Sequence, residues 1–260
     1  MLQGKTAVIT GSTSGIGLGI AEGLAAQGCN IVLNGYEPPE EVEPVRARVA
    51  EACSAKVSLF TGDLTKVEVC EALIDHAIAE HGSADILVNN AGIQHVAKLE
   101  EFPVAKWDMI LALNLSSAFH TCRKALPAMK SAGWGRVVNI ASAHGLIASP
   151  FKSAYVAAKH GLVGMTKVMA LETAETGITC NTICPGYVLT PLVEKQIADQ
   201  AKTHGIPEDE VIRDVILKSQ PNKEFTTTED IAALTVFLCS EAAKTITGTS
   251  LSIDGGWTAQ

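Results

Sequence analysis

Short, continuous apolar runs alternate along the chain with longer stretches of helical spacing. The apolar runs are KTAVIT (5–10), NIVLNG (30–35), KVSLFTGD (56–63), ADILVNNAG (84–92), GRVVNIAS (135–142), ITCNTICPG (178–186) and GTSLSIDGG (248–256). They are mostly apolar along their length, so they read as strands buried on both faces. Helical spacing covers 15–28, ending at Gly28, and 40–53, with Pro44 early in it. It returns over 66–82, over 104–133 as one long helix with Pro127 late in it, and over about 153–175. Strands that alternate with helices predict an α/β fold: a doubly wound parallel sheet of seven strands, in one domain spanning 1–260. The stretch 187–228 breaks the rhythm. It is polar, partly helical (EKQIADQAKTHG, EDEVIRDVILKS), and is expected to form a substrate lid near the strand ends.

Composition narrows the class. A chain of 260 residues that is 47% hydrophobic can bury one sizeable core. The net charge is −8 and no block of Lys or Arg occurs, which argues against a nucleic-acid partner. An acidic protein gives no general pull on an anionic substrate, so such a substrate needs local positive groups. Seven Cys are scattered without a CxxC pair, Cys180 and Cys184 being the closest. They are expected to be reduced, buried small hydrophobes. The N-terminus leads directly into a strand and no long apolar run follows, so a soluble cytoplasmic protein without membrane contact is expected. The His residues lack ligand spacing, and no metal is expected.

The turn TGSTSGIG (10–17) follows the first strand and opens the first helix. Gly11 permits the tight turn, Gly15 lets backbone approach a pyrophosphate, and Gly17 allows close packing. The helix start offers free N–H groups to the anion. A glycine-rich turn alone is weak evidence; its place within a first βαβ unit is what points to a dinucleotide. Farther on, Tyr155 and Lys159 lie one turn apart on a helix, and Lys152 lies three residues before the tyrosine. Alone, such a pair is an ordinary exposed one.

Six features change that reading. TGSTSGIG, NNAG (89–92), Asn114, Ser142, YVAAK (155–159) and PG (185–186) occur in one order and spacing. The chain thereby resembles the short-chain dehydrogenase/reductase family over essentially its full length. The resemblance implies that Tyr155 is the catalytic acid/base and that Ser142 hydrogen-bonds the substrate oxygen. It implies that Asn114 holds a water in a proton relay, and that Lys159 holds the nicotinamide ribose. A phenol titrates near pH 10, and the Lys159 ammonium is expected to lower that value. The cofactor contacts implied are Gly11, Thr13, Gly15, Ile16, Gly17, Tyr36, Asp63, Leu64, Asn90, Ala91, Gly92, Pro185, Gly186, Val188 and Thr190, besides Tyr155 and Lys159.

The end of the second strand decides between NAD and NADP. It reads NGYEPPEE (34–41), without the family's usual aspartate. Asn34 is expected to hydrogen-bond a ribose and Tyr36 to pack on it. No Lys or Arg occurs in 12–17 or 34–41, while Glu37, Glu40 and Glu41 repel a 2′-phosphate. NAD is therefore the expected cofactor.

Lys152 is not a general family requirement. On the substrate side of the tyrosine, an ammonium suits a carboxylate. With Gln94, His144, Gln196 and Trp257 it forms the expected site for a small hydroxy or keto acid, oxidised by NAD or reduced in reverse. Tyr187, after PG, borders the same pocket. The family further implies a homotetramer built on the helices at 104–133 and 153–175. Other readings stay open. An NADPH-dependent 3-oxoacyl-carrier-protein reductase shares the Ser–Tyr–Lys set but is expected to carry basic groups near the phosphate turn. A dehydrogenase of another small alcohol, such as a sugar, is a further possibility. A nucleotide-sensing protein without turnover commonly loses the Tyr or the Lys.

Overall fold

The structure is a computed structural model that describes residues 2–53, 56–190, 193–194, 197, 201 and 205–259. Seven strands form one parallel sheet among these residues: β1 (Thr6–Ile9), β2 (Asn30–Gly35), β3 (Val57–Thr61), β4 (Ile86–Asn89), β5 (Gly135–Ile140), β6 (Ile178–Pro185) and β7 (Ser250–Ile253). Their order is β3-β2-β1-β4-β5-β6-β7. The central strands carry the apolar runs of the sequence. Val8, Val32 and Leu87 lie side by side in register and are fully buried. Removing each such side chain from water stabilises the fold by about 1.5–3 kcal/mol. The edge strands β3 and β7 are only partly buried, which is where Ser58, Ser250 and Ser252 can be tolerated.

Helices cover both faces: α1 (Gly15–Ala26), α2 (Pro39–Ala52), α3 (Val67–His81), α4 (Val104–Leu111), α5 (Ser117–Ala132), α6 (Ser153–Glu172) and α7 (Thr228–Cys239). The single helix expected over 104–133 is two. A π turn at Ala112–Ser116 separates α4 from α5 and has Asn114 at its middle. Such bulges cluster at functional sites because they re-aim one side chain without ending the helix. Pro127 stays inside α5. At the start of α7, Thr227 and Asp230 form a reciprocal capping box: the Asp230 N–H donates to the Thr227 hydroxyl, and the Thr227 N–H to the Asp230 carboxylate.

All seven cysteines are unpaired, and all but Cys53 are buried. Burial pushes the Cys29, Cys122 and Cys239 thiols up to about 12, so they stay protonated and pack as hydrophobes. No helix among the described residues is long and apolar enough to cross a membrane. The strand order reverses between β1 and β4, and the loops leaving the carboxyl ends of the strands gather around that crevice.

Candidate active site

The glycine turn is the floor of the crevice. Gly11 and Gly15 have φ of +60° and +53°, a left-handed conformation that glycine adopts without penalty. A Cβ on Gly17 would lie 2.3 Å from the Gly11 carbonyl oxygen, so that site admits no side chain. Two asparagines brace the turn. Asn90 donates from Nδ2 to the carbonyls of Thr10 and Gly11 at 3.0 and 2.9 Å. Asn34 accepts from the Gly11 N–H at 3.1 Å and donates to the Phe60 carbonyl at 3.1 Å. Asn34 is 2% exposed, so the expectation that it meets a ribose is corrected: it is a strut. Ser14 at the start of α1 makes no side-chain cap, which leaves the first N–H groups of the helix to an outside acceptor. A Cβ on Gly15 would meet just the Thr190 methyl, at 3.7 Å, so its backbone is open to close approach. This cradle fits a pyrophosphate.

Beyond β2, Tyr36 is 78% exposed and available for stacking. The Glu37 carboxylate folds back toward the turn, accepting from the Tyr36 N–H at 3.0 Å and from the Thr13 hydroxyl at 3.4 Å. Asp63, after β3, accepts from the Thr65 N–H and hydroxyl through one oxygen, at 3.0 and 2.7 Å. These bonds hold its carboxyl below the ordinary value. The Leu64 side chain is buried, so that residue offers backbone alone. Ala91 and Gly92 continue from Asn90 along the crevice, with Ala91 against Gly11. Ile16 packs partly buried against the core.

Across the crevice, Ser142 follows β5 and is 9% exposed. Its hydroxyl accepts the His144 N–H at 3.1 Å. Tyr155 and Lys159 stand on α6 one turn apart, as their spacing predicts. Lys159 is 3% exposed; its Nζ donates to the Ile140 carbonyl at 2.7 Å and sits 5.6 Å from the Tyr155 ring centre. Burial pushes the Lys159 ammonium down to about 8. Burial raises the Tyr155 phenol above its ordinary value, and the Ser142 hydroxyl opposes that rise. The expected lowering of Tyr155 by Lys159 is not seen: desolvation is the largest influence on the phenol, and the ammonium is not among the groups that shift it. The Asn114 side-chain amide accepts from the Ile93 N–H and donates to the Ile93 carbonyl, both at 2.9 Å, which ties it to the loop after β4.

The substrate end is built around Lys152, the residue preceding α6. Phe151 before it has φ of +69°, and its carbonyl accepts the Ala97 N–H at 3.0 Å. The Lys152 carbonyl accepts the Val156 N–H at 2.9 Å, but its half-buried side chain makes no hydrogen bond or ion pair among the described residues. Desolvation alone pulls its ammonium below the ordinary lysine value. His144 is 4% exposed, and both its ring nitrogens are engaged, Nε2 with the Ser149 hydroxyl at 2.8 Å and Nδ1 with Ser142 Oγ at 3.4 Å. Trp257 lies edge-on to His144 with ring centres 5.1 Å apart and stacks on Tyr187 at 5.5 Å. Gln94 is exposed on the loop after β4. Gln196 lies outside the described residues.

The expected lid leaves the sheet at Pro185 and Gly186, where the Gly186 N–H donates to the Ile253 carbonyl at 3.0 Å. Its two ends are tied together. Thr226 bonds the Tyr187 carbonyl and the Leu189 N–H, so the N–H and C=O of Val188 between them face the opposite side. Gln220, fully buried, accepts from the Tyr187 N–H and donates to the Glu224 carbonyl at 2.7 Å. Ile197, Val211, Ile216 and Leu217 form a small apolar cluster with Tyr187 packed against it. Gln220 and Ser149 carried no signal in the sequence: neither belongs to a periodic pattern or a motif. Glu37 was visible as a negative charge, but its approach to Thr13 was not.

Comparison with known proteins agrees with this arrangement. A family model described as enoyl-(acyl carrier protein) reductase matches residues 11–258. The D-beta-hydroxybutyrate dehydrogenase of Rhizobium meliloti is 60% identical over 98% of this chain and 99% of its own length. Its namesake from Cupriavidus necator is 55% identical over 100% of both. The crystal structure of L-sorbose reductase from Gluconobacter frateurii, complexed with NADPH and L-sorbose, has a TM-score of 0.94 at 32% identity and covers 99% of this chain and 98% of its own. A putative 2-deoxy-D-gluconate 3-dehydrogenase from Agrobacterium tumefaciens with bound NADP has a TM-score of 0.84 at 35% identity, covering 100% of this chain and 98% of its own. With its glycine turn, its Ser142–Tyr155–Lys159 set and these relatives, the chain belongs to the short-chain dehydrogenase/reductase family.

Proposed function

We propose that this protein interconverts (R)-3-hydroxybutyrate and acetoacetate, with NAD as the hydride carrier. The observation that carries the reading is Lys152, a half-buried ammonium without a partner among the described residues, one turn from Tyr155. A desolvated, unpaired charge lowers stability and persists where a ligand of opposite sign completes it. The two D-beta-hydroxybutyrate dehydrogenases at 60% and 55% identity support a small carboxylate substrate.

When bound, the nicotinamide ring supplies the hydride acceptor. The protein supplies position and proton traffic. Lys152, with Gln94 and Gln196, anchors the carboxylate. Ser142 donates to the reacting oxygen, and Tyr155 takes the hydroxyl proton in oxidation and returns it in reduction. Lys159 holds the ribose and stabilises the phenolate once the ring is in place. Asn114 acts as a positioning residue, fixing the Ile93 backbone and so the loop that bears Gln94. The Val188 N–H and C=O suit the carboxamide. Trp257 and Tyr187 form the wall that keeps water from the methyl end.

NAD is favoured by Glu37. Its carboxylate beside Thr13 occupies the region a 2′-phosphate needs, and it can accept from ribose hydroxyls instead. The two structural neighbours carry NADP or NADPH, so this preference rests on the chain's own residues. The same lack of basic groups disfavours a carrier-protein reductase. We place the enzyme in the cytoplasm as a homotetramer.

The test is NADH appearance with (R)- or (S)-3-hydroxybutyrate and NAD or NADP. Turnover of the (R) acid with NAD is expected. Silence with both acids, together with NADPH oxidation by an acetoacetyl thioester, refutes the proposal.

A further inference from the structure

We propose that Asp254 is a positioning residue for the substrate wall: its carboxylate closes the turn that holds Trp257 against Tyr187, and so sets the length of acid the site accepts. This rests on the reading of the site as one for a short 3-hydroxy acid. Asp254 follows β7 and is 5% exposed. Its Oδ1 accepts the Gly256 N–H at 3.0 Å. Its Oδ2 accepts the Thr258 N–H at 3.0 Å and the Thr258 hydroxyl at 2.6 Å. The Asp254 carbonyl accepts the Trp257 N–H at 3.1 Å. Trp257 thus stands between two residues bonded to the carboxylate, and its own amide is tied to the same aspartate.

Every hydrogen bond that the Asp254 side chain makes among the described residues stays within 254–258. A carboxylate taken out of water costs free energy unless donors surround it. Here the donors all come from one turn, so what the carboxylate stabilises is the shape of that turn. An amide would not serve. All the incoming groups are donors, whereas asparagine has one acceptor oxygen and an NH2 that donates. Either Gly256 or Thr258 would then face a second donor.

The turn is placed as well as shaped. A Cβ on Gly186 would lie 2.9 Å from Asp254 Cα, so the segment leading to Tyr187 runs directly against Asp254. The Gly186 N–H donates to the Ile253 carbonyl at 3.0 Å and fixes that approach. From these two anchored points the Tyr187 and Trp257 rings meet, their centres 5.5 Å apart and their planes 2° apart. A short acid leaves its methyl group against this wall, while a longer one has to push the indole aside. Once the turn is released the wall yields: the short acid loses a contact and the long acid loses a clash.

The experiment compares wild type, Asp254→Asn, Thr258→Val, Trp257→Ala and the Asp254→Asn/Trp257→Ala double variant on (R)-3-hydroxybutyrate and (R)-3-hydroxyhexanoate with NAD. The kcat/KM preference for the shorter acid should fall about tenfold in Asp254→Asn, the scale of a methylene-sized misfit in an apolar pocket. The change should lie mainly in KM, with NAD affinity unchanged. Thr258→Val removes one donor and should show a smaller fall; it carries the same comparisons should Asp254→Asn not fold. With Trp257 already removed, Asp254→Asn should shift the preference no further. A substrate-free arm makes Trp257 the sole tryptophan through Trp107→Phe and Trp134→Phe. Acrylamide quenching of its fluorescence should rise in Asp254→Asn. An unchanged preference, an equal fall in the absence of Trp257, or unaltered quenching overturns the proposal. Absence of turnover by wild type together with a rise in quenching would strike the reading of the substrate and leave the hold of Asp254 on Trp257 standing.

Discussion

Replacing Lys152 by Met removes the ammonium and keeps the volume of the stem. Two unit charges about 4 Å apart attract by roughly 4 kcal/mol at an effective dielectric constant near 20. Lys152 is half-buried, so water screens part of this, and charge-assisted hydrogen bonds contribute a net of about 1.5–3 kcal/mol. A loss of about 2.5 kcal/mol corresponds to a roughly 70-fold fall in kcat/KM. The carboxylate does not change during the reaction, so the loss should fall mainly on KM. Stability should move the other way. The fold pulls the Lys152 ammonium below its ordinary value through desolvation, so the native state disfavours the charge. It also stands at the positive end of the α6 dipole. The melting temperature of Lys152→Met should equal or exceed that of wild type. The assay is initial rates over a range of (R)-3-hydroxybutyrate at saturating NAD, with NADH affinity from fluorescence. A kcat/KM within twofold of wild type would remove Lys152 from the site. A large fall in melting temperature would mean that the ammonium has a structural partner and that the argument from its unpaired state is wrong.

Glu37→Gln should raise kcat/KM with NADP about tenfold, because one negative charge facing the 2′-phosphate is gone; an unchanged NAD/NADP ratio would place selectivity elsewhere. Gln220→Ala leaves the Tyr187 N–H and the Glu224 carbonyl without their buried partner, so urea unfolding should report a loss of about 1–3 kcal/mol, with KM raised as the ends of 187–228 loosen. Unaltered stability would show that Gln220 does not tie them. Lys159 has a folded value of about 8 against 10.5 unfolded, so between those values the folded state binds fewer protons. Stability should rise with pH through that window, by up to about 3 kcal/mol relative to Lys159→Met. Parallel pH profiles of melting for the two proteins would contradict the depressed value.

The continuous apolar runs determine the sheet, because a parallel strand covered on both faces has no polar side to show. Glycine positions in 10–17 were equally legible, since a left-handed φ and a 2.3 Å clearance admit almost no other residue. The i,i+4 pair of Tyr155 and Lys159 followed from helix geometry. These are local constraints, each satisfied within a few residues of the chain.

What tertiary structure alone decided depends on groups far apart in sequence. Asn34 looked free at a strand end, yet Gly11, Phe60 and Ser12 converge on it and make it a strut. Asn114 bonds the backbone of Ile93, 21 residues earlier, through a π turn that helical spacing does not register. Tyr155 sits above its ordinary value rather than below it because the energy of an ionisable group depends on how much water the whole fold removes. Gln220 binds both ends of 187–228 although neither end announces it. The sequence by itself determined the strands, the glycine turn and the placing of Tyr155 and Lys159 one turn apart on a helix. Burial, long-range hydrogen bonding and desolvation, which are sums over neighbours rather than properties of a segment, decided which of those side chains are left free to act.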